Sequence, residues 1–174
     1  MQRVAVVGSG GAGKTTFTKA CSKATALPVV HLDEHFWSPG WVESNPEEWR
    51  ERQINLLTAD RWIVDGNYGN TLDLRLSLAD TIIWLDFSRY LCLVGAVRRT
   101  LFNYGRPTQA AGCPERFDRE FLQWVWNFPQ ESRPKLVDAI ARFGKGVKVY
   151  RFQSRRDARE FLRTLQTPQN GLSN

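Results

Sequence analysis

A glycine-rich segment near the start of the chain has the residue types and spacing that bind a phosphate chain. Residues 8–15 match G-x-x-x-x-G-K-[ST] and end in Lys14 and Thr15. The apolar run 3–7 before them predicts a buried strand, and the residues after them favour a helix. In this context, backbone amides and the helix N terminus point at one anion. The nucleotide-binding residues predicted here are Gly8, Ser9, Gly10, Gly11, Ala12, Gly13, Lys14, Thr15 and Thr16.

The same segment predicts a magnesium site. Lys14 can reach the β- and γ-phosphates, and Thr15 can offer its hydroxyl to Mg²⁺. Two apolar runs end in a carboxylate that could assist, Asp65 and Asp86. We prefer Asp65, because Gly66 follows it in a turn that a ligand can approach, whereas Asp86 can instead help to cap the next helix. The predicted cofactors are ATP and Mg²⁺, with Thr15 and Asp65 as the metal partners.

An acceptor site is predicted after the second strand-like run. Asp33 ends that run, where open α/β sheets bind ligands, and it could orient an acceptor hydroxyl or take its proton. The alternative is a carboxylate that only forms a turn. Phe36, Trp37 and Trp41 follow in an irregular stretch. They form either a stacking surface for a base or sugar, or a hydrophobic plug that anchors the loop.

Residues 105–134 are rich in arginine, glycine and proline and contain no strand-like run. We interpret them as a lid, because phosphoryl transfer needs positive charge delivered after the substrate binds. The alternative is a solvated surface excursion with a packed aromatic stripe. A helix is expected to begin near Pro114, with Pro129 and Pro134 interrupting it.

Four arginines are predicted to neutralise the transferred phosphoryl group. Arg116 and Arg133 belong to the lid, and Arg98 and Arg99 lie just before it, where they could bind the nucleotide or simply favour a helix C terminus. The predicted catalytic residues are Lys14, Asp33, Arg116 and Arg133.

Composition limits the function classes. A chain of 174 residues with 42% hydrophobic residues fits one domain, with an acceptor-binding insertion at about 34–60. No apolar run reaches membrane-spanning length, and three widely spaced cysteines favour neither a zinc site nor disulfides, so we expect a cytoplasmic protein. The net charge of +6 suits either a basic nucleic-acid-binding face or an anion-handling active site. We favour the second, because the phosphate loop already requires cations.

Five strand-like runs alternate with helical stretches. The runs are 3–7, 28–32, 61–65, 81–86 and 147–152. They are short and apolar without alternation, which is typical of a parallel sheet covered on both faces. Asn45, Ser88 and Ser154 are predicted to cap helices, and the tail 167–174 is expected to fray. The pattern predicts a doubly wound, three-layer α/β/α fold.

Several strings outside the glycine loop are distinctive. They are HLD at 31–33, FWSPGW at 36–41, DGNY at 65–68, GCPERFD at 112–118 and SRP at 132–134. With the loop, they resemble the adenylate kinase-like branch of the P-loop kinases and, more narrowly, the bacterial DNA topology modulation (FlaR-related) proteins. The resemblance implies a P-loop NTPase fold with strand order 2-3-1-4-5, the acceptor between the second and third strands, and a lid from Arg106 to Arg133.

One departure concerns the acceptor. Adenylate-type kinases carry an arginine soon after the Asp-Gly of the third strand, whereas residues 67–70 read NYGN, and the loop 33–49 contains no Arg or Lys. A monophosphate would lack its counter-charge unless Arg50 or Arg75 reaches in. The sequence therefore leaves room for a neutral, hydroxyl-bearing acceptor oriented by Asp33.

The main hypothesis is an ATP- and Mg²⁺-dependent small-molecule kinase of nucleoside- or nucleotide-kinase type, either a monomer or a homodimer. One alternative is an ATP-binding regulator that contacts nucleic acid through its basic face. Another is a simple ATPase, whose hydrolysis would not depend on any acceptor.

Overall fold

The structure, a computed structural model, describes residues 1–166. Its strands are β1 (Arg3–Gly8), β2 (Val29–His31), β3 (Trp37–Ser38), β4 (Val42–Glu43), β5 (Trp62–Asp65), β6 (Thr81–Leu85) and β7 (Lys148–Phe152). Five of them form a parallel sheet in the order β2-β5-β1-β6-β7, and β3 and β4 form a separate antiparallel hairpin. Without the hairpin, this is the predicted order 2-3-1-4-5. The predicted tail lies outside the described residues.

Helices cover both faces of the sheet. They are α1 (Lys14–Thr25), α2 (Leu32–Phe36), α3 (Pro46–Leu56), α4 (Leu72–Leu78), α5 (Arg89–Asn103), α6 (Arg119–Glu131), α7 (Arg133–Phe143) and α8 (Arg155–Gln166), with a 3₁₀ turn at Gly69–Thr71. Within residues 1–166, no helix is both long and apolar enough to cross a bilayer.

The two sides of the sheet build two cores. Alternation along β1 sends Val4 and Val6 into the core formed with α1 and α8, and Ala5 and Val7 into the core formed with α4 and α7. Burial on both faces explains why β1 reads as a continuous apolar run. The predicted three-layer α/β fold is confirmed.

The predicted helix caps are present. The side chain of Asn45 accepts a hydrogen bond from the amide of Glu47, that of Ser88 from the amide of Leu91, and that of Ser154 from the amide of Asp157, at 2.9, 3.4 and 3.2 Å. These bonds satisfy amides that have no partner within their helix.

The helical part of the predicted lid differs from expectation. Its helix, α6, begins at Arg119 and not near Pro114, because the carboxylate of Asp118 accepts from the amide of Phe121 and caps it. Pro129 does not interrupt α6, which continues to Glu131 with Val125 and Phe128 buried. Pro134 stands in the first turn of a separate helix, α7, where a proline displaces no hydrogen bond.

The second strand ends earlier than predicted. β2 stops at His31, and Asp33 lies in the first turn of the short helix α2. Because α2 begins directly at the carboxyl end of β2, Asp33 stays at the edge of the sheet where the phosphate loop follows β1.

Candidate active site

The phosphate loop is held in place by close packing against α5. Gly11 has φ +70°, and a Cβ atom there would lie 2.0 Å from the main-chain oxygen of Cys92. Only glycine fits this position. At the end of the loop, Gly13 precedes α1 in the left-handed conformation, and no side chain among the described residues caps that helix. The start of α1 therefore has free amides for an anion.

Lys14 lies across this loop. Its ammonium donates to the main-chain oxygens of Gly8 and Ser9 at 3.0 and 2.9 Å, which leaves one of its three N–H groups for a phosphate. Burial lowers the pKa of Lys14, and the nearby carboxylates of Asp33 and Asp65 oppose that shift.

Asp65 has one satisfied and one unsatisfied oxygen. Its Oδ1 lies 2.9 Å from Nδ1 of His31, and the hydrogen bond raises the pKa of that histidine. Its Oδ2 is buried without any hydrogen-bond partner. A buried carboxylate oxygen is costly to leave unpaired, so a cation or its water ligand fits this position. Among the described residues, no three His, Cys, Asp or Glu side chains lie together where they could bind a metal ion. A Mg²⁺ ion beside Asp65 would therefore take its other ligands from phosphates and water.

Asp86 is the other carboxylate that the sequence offered as a metal partner, and both of its oxygens are hydrogen-bonded to arginines. Arg133 donates to both of its oxygens at 2.9 and 3.0 Å, and Arg151 adds a bond of 2.8 Å. Both guanidinium groups also lie over the ring of Trp84. Asp86 lies outside the cavity described below, and so does Arg133, which the structure does not bring to the phosphate loop.

The acceptor side is built on Asp33 and a group of aromatic rings. Tyr68 donates its hydroxyl to Oδ1 of Asp33 at 2.6 Å. Burial and the Asp33 carboxylate raise the pKa of Tyr68, so this hydroxyl remains a donor. Phe36 packs against Tyr68 and Trp37 with ring centroids 4.5 and 4.9 Å apart, and Trp37 contacts Trp41 at 5.4 Å. The rings anchor the loop by packing on one another and also line the cavity, and their use as a stacking surface for a base or sugar stays a prediction.

One cavity of about 1780 Å³ connects these parts. Its lining includes the loop from Gly10 to Thr16, Asp33, Asp65, the aromatic rings and three of the four predicted arginines, which are Arg98, Arg99 and Arg116. The volume exceeds the roughly 300–1,000 Å³ of a site for one small ligand. It is therefore large enough for a nucleotide and a second molecule.

The β3–β4 hairpin is fastened to the segment 105–118. The amide of Gly40 donates to the main-chain oxygen of Gly112, and the indole N–H of Trp41 donates to that of Pro114, both at 2.9 Å. The sulfur of Cys113 lies 3.2 Å from the main-chain oxygen of Ser38. Two segments separated by more than sixty residues thus meet beside the cavity.

Glu115 is a functional candidate that sequence reasoning missed. It is buried, accepts from Thr108 at 2.6 Å and from Gln109 at 3.2 Å, and lies 3.1 Å from Nε of Arg99. The guanidinium of Arg99 also lies over the ring of Phe121. Glu115 therefore fixes a cavity arginine. Arg116, in contrast, is largely exposed, and its nearest carboxylate, that of Asp118, is 4.0 Å away.

The contact between His31 and Asp65 was not predicted in the sequence analysis. The two residues are paired in the register of β2 and β5. The strand order predicted that these strands are neighbours, and the register between them was the missing information.

The chain is similar in sequence and in fold to proteins described as kinases. No protein-family model matches the chain. A protein of Natronomonas pharaonis described as "Putative adenylate kinase" is 30% identical over 146 residues, which cover 82% of this chain and 75% of that protein.

Solved structures share the fold at low identity. A shikimate kinase from Acinetobacter baumannii, solved with shikimate, has a TM-score of 0.59 at 13% identity and covers 98% of this chain and 96% of its own. A deoxyadenosine kinase from M. mycoides has a TM-score of 0.52 at 11% identity, with coverages of 93% and 95%.

The fold and the phosphate loop define a P-loop kinase architecture. Within that class, the chain belongs to the adenylate kinase-like family. The narrower resemblance to DNA topology modulation proteins stays a prediction, as do the assignments of 34–60 and 105–134 as acceptor insertion and lid.

Proposed function

We propose that this protein is an ATP- and Mg²⁺-dependent phosphotransferase that acts on a small-molecule acceptor, of nucleoside- or nucleotide-kinase type. The observation that carries the proposal is the shared cavity. Lys14, the unpaired oxygen of Asp65 and the Asp33–Tyr68 pair belong to residues that line one space. A phosphate cradle, a metal partner and an acceptor-orienting group are what phosphoryl transfer requires.

The loop amides and Lys14 bind the phosphates in this proposal. Thr15 and Asp65 would hold Mg²⁺, which supplies charge neutralisation on the phosphates when it is bound. Asp33 orients the acceptor hydroxyl and receives its proton, and Tyr68 fixes the carboxylate by its hydrogen bond.

Cavity arginines stabilise the charge that moves with the phosphoryl group. Arg98, Arg99 and Arg116 line the cavity, which supports this role, and Arg99 shares its charge with the buried carboxylate of Glu115. Arg133, predicted as a fourth, would first have to leave Asp86, to which it is bound by two hydrogen bonds.

The test is ATP consumption in the presence of nucleosides, nucleotides, sugars and other metabolites. Lys14→Ala should lower the acceptor-dependent rate about 10²–10³-fold, because a donor aimed at developing charge is lost. Lys19→Ala, on the exposed side of α1, is the matched control and should keep the wild-type rate. A Lys14→Ala protein as fast as the wild type would contradict the proposal. Hydrolysis that no acceptor accelerates would identify a simple ATPase instead.

The alternative of a nucleic-acid-binding regulator has no support among these relatives, which are described as kinases. A regulator of this kind should bind DNA with an affinity that persists at raised salt and changes with ATP. A kinase with a basic surface should bind DNA weakly, and modest salt should abolish that binding.

A further inference from the structure

We propose that the acceptor is an uncharged, hydroxyl-bearing ring compound, such as a nucleoside, and not a monophosphate or a carboxylic acid. This inference rests on the proposed function, because it concerns the acceptor half of the same cavity. We define the acceptor half as the cavity-lining residues between 33 and 71.

The charged side chains of the acceptor half are mostly acidic. Asp33, Glu43 and Asp65 line it, and Arg50 is its single cation among the described residues. The local charge therefore disfavours a second anion beside Asp33, since like charges repel strongly where water is partly excluded.

Arg50 is already neutralised. It donates from both terminal nitrogens to the two oxygens of Asp73, and that hydrogen bonding lowers the pKa of Asp73. The pair uses two of the five N–H donors of Arg50 and places a carboxylate against it, so an incoming phosphate would meet a cation whose charge is already balanced.

Two further arginines of the same stretch of chain, Arg52 and Arg75, also have fixed partners. Arg75 is 1% exposed and donates to Gln53, Thr71 and the main-chain oxygen of Tyr68. Arg52 donates to the main-chain oxygen of His35 at 2.6 Å. Neither side chain lines the cavity. The two arginines that the sequence left as candidates, Arg50 and Arg75, thus do not supply a free counter-charge for a phosphate.

What the acceptor half does offer is apolar ring surface and one hydroxyl site. Trp37 and Trp41 line the cavity and are only partly buried, which leaves ring area for the face of a base or sugar. Asp33 keeps an oxygen beyond the one bound by Tyr68, and that oxygen can accept a hydrogen bond from an acceptor hydroxyl.

The experiment compares matched pairs that differ by one anionic group, each nucleoside against its 5′-monophosphate. Binding is measured by tryptophan fluorescence without ATP, and turnover with ATP and Mg²⁺. We expect the uncharged member of a pair to bind and react at least tenfold better. Tighter binding of the monophosphate, or binding of neither member, would overturn the inference.

Asp73→Asn tests the physical cause, because it releases Arg50 into the acceptor half. Binding of the monophosphate should improve about tenfold, while binding of the nucleoside stays within twofold of the wild type. Asp138→Asn, which breaks the exposed Arg142–Asp138 pair on α7, is the matched control and should change neither. If Asp73→Asn leaves the preference unchanged, Arg50 is not the neutralised counter-charge and the inference fails.

The two proposals fail in different ways. If no acceptor is phosphorylated but the nucleoside still binds better than its monophosphate, the inference on acceptor charge stands and the phosphotransferase proposal does not. If the monophosphate is the better substrate, the protein is a kinase and the inference on acceptor charge is wrong.

Discussion

Trp41 donates its indole N–H to the main-chain oxygen of Pro114 over 2.9 Å, although the two residues are 73 positions apart in the chain. Trp41 also adopts φ +65°, a left-handed conformation that non-glycine residues rarely occupy. The bond joins the β3–β4 hairpin, which carries acceptor-site rings, to the segment that is predicted to belong to the lid. Movement of either segment therefore affects the other.

The first prediction concerns this bond. Trp41→Phe keeps an aromatic ring but removes the N–H donor, so the hairpin should lose order. A neutral hydrogen bond contributes about 1 kcal/mol, and we expect the KM for the acceptor to rise about fivefold. Steady-state kinetics with both substrates measures the effect. Trp126→Phe, a tryptophan outside the cavity lining, is the control, and equal KM values in both variants would refute the prediction.

The packing of Gly112 against Pro39 gives a second prediction. A Cβ atom on Gly112 would lie 2.7 Å from the Cβ of Pro39, and its φ is +71°. Gly105 has a similar φ of +75° but nothing within 4 Å of an added Cβ. Gly105→Ala should cost about 1 kcal/mol from backbone strain, and Gly112→Ala about 1–3 kcal/mol more from the clash. Urea unfolding measures the free energy of unfolding of both variants. Equal losses would contradict the prediction, because they would mean that Pro39 shifts away from the added Cβ atom without cost.

A third prediction concerns the unpaired oxygen of Asp65. Asp65→Asn replaces the buried Oδ2 or Oδ1 with an amide and removes the negative charge that would attract Mg²⁺. The Mg²⁺ concentration for half-maximal activity should rise about 10–100-fold, as happens when an outer-shell partner of a metal is lost. Activity titrated with MgCl₂ at fixed ATP measures it. An unchanged Mg²⁺ requirement would remove Asp65 from the proposed metal site.

Asp86 gives a prediction on pH-dependent stability. Burial tends to raise its pKa, but the hydrogen bonds from Arg133 and Arg151 outweigh that effect and hold the pKa below its usual value. The charged carboxylate therefore stabilises the fold above its unfolded pKa of about 4 and loses this contribution as the pH falls through the folded pKa.

Asp86→Asn should thus cost about 2 kcal/mol at neutral pH, and the difference from the wild type should shrink below about pH 4. Thermal or urea unfolding across pH 3–7 measures both effects. Asp138→Asn, in an exposed pair, should cost less than about 0.5 kcal/mol at every pH. A constant difference for Asp86→Asn down to pH 3 would contradict the assignment.

The sequence predicted the strands and the phosphate loop because local signals determine them. The run before Gly8 is apolar on both faces, and the loop needs glycine at positions such as Gly11. Asp65 retains an unpaired oxygen and Asp86 does not, which supports the choice of Asp65 as the metal partner, and that choice stays a prediction. The order of the strands followed from the family resemblance and not from periodicity.

Contacts between residues that are far apart in the chain could not be predicted from local sequence patterns. The contact of His31 with Asp65 depends on strand register, and the burial of Glu115 beside Arg99 depends on how the segment after α5 folds back. Arg133 was expected at the phosphates because arginines cluster in its segment, but its partner is Asp86, 47 residues earlier in the chain. Pro129 reads as a helix breaker, but α6 continues past it to Glu131 with Phe128 buried beside it.

The sulfur of Cys113 lies in the contact between the hairpin and the segment 105–118, and it is fully buried there. Cys21 and Cys92 are buried in the core beside α1 and α5. We expect a thiol-reactive reagent to reach Cys113 first, because it lies between two surface segments, and at a rate set by how often these segments separate. The rate of labelling with such a reagent, with and without bound substrates, would measure how often the segments separate in the wild-type protein.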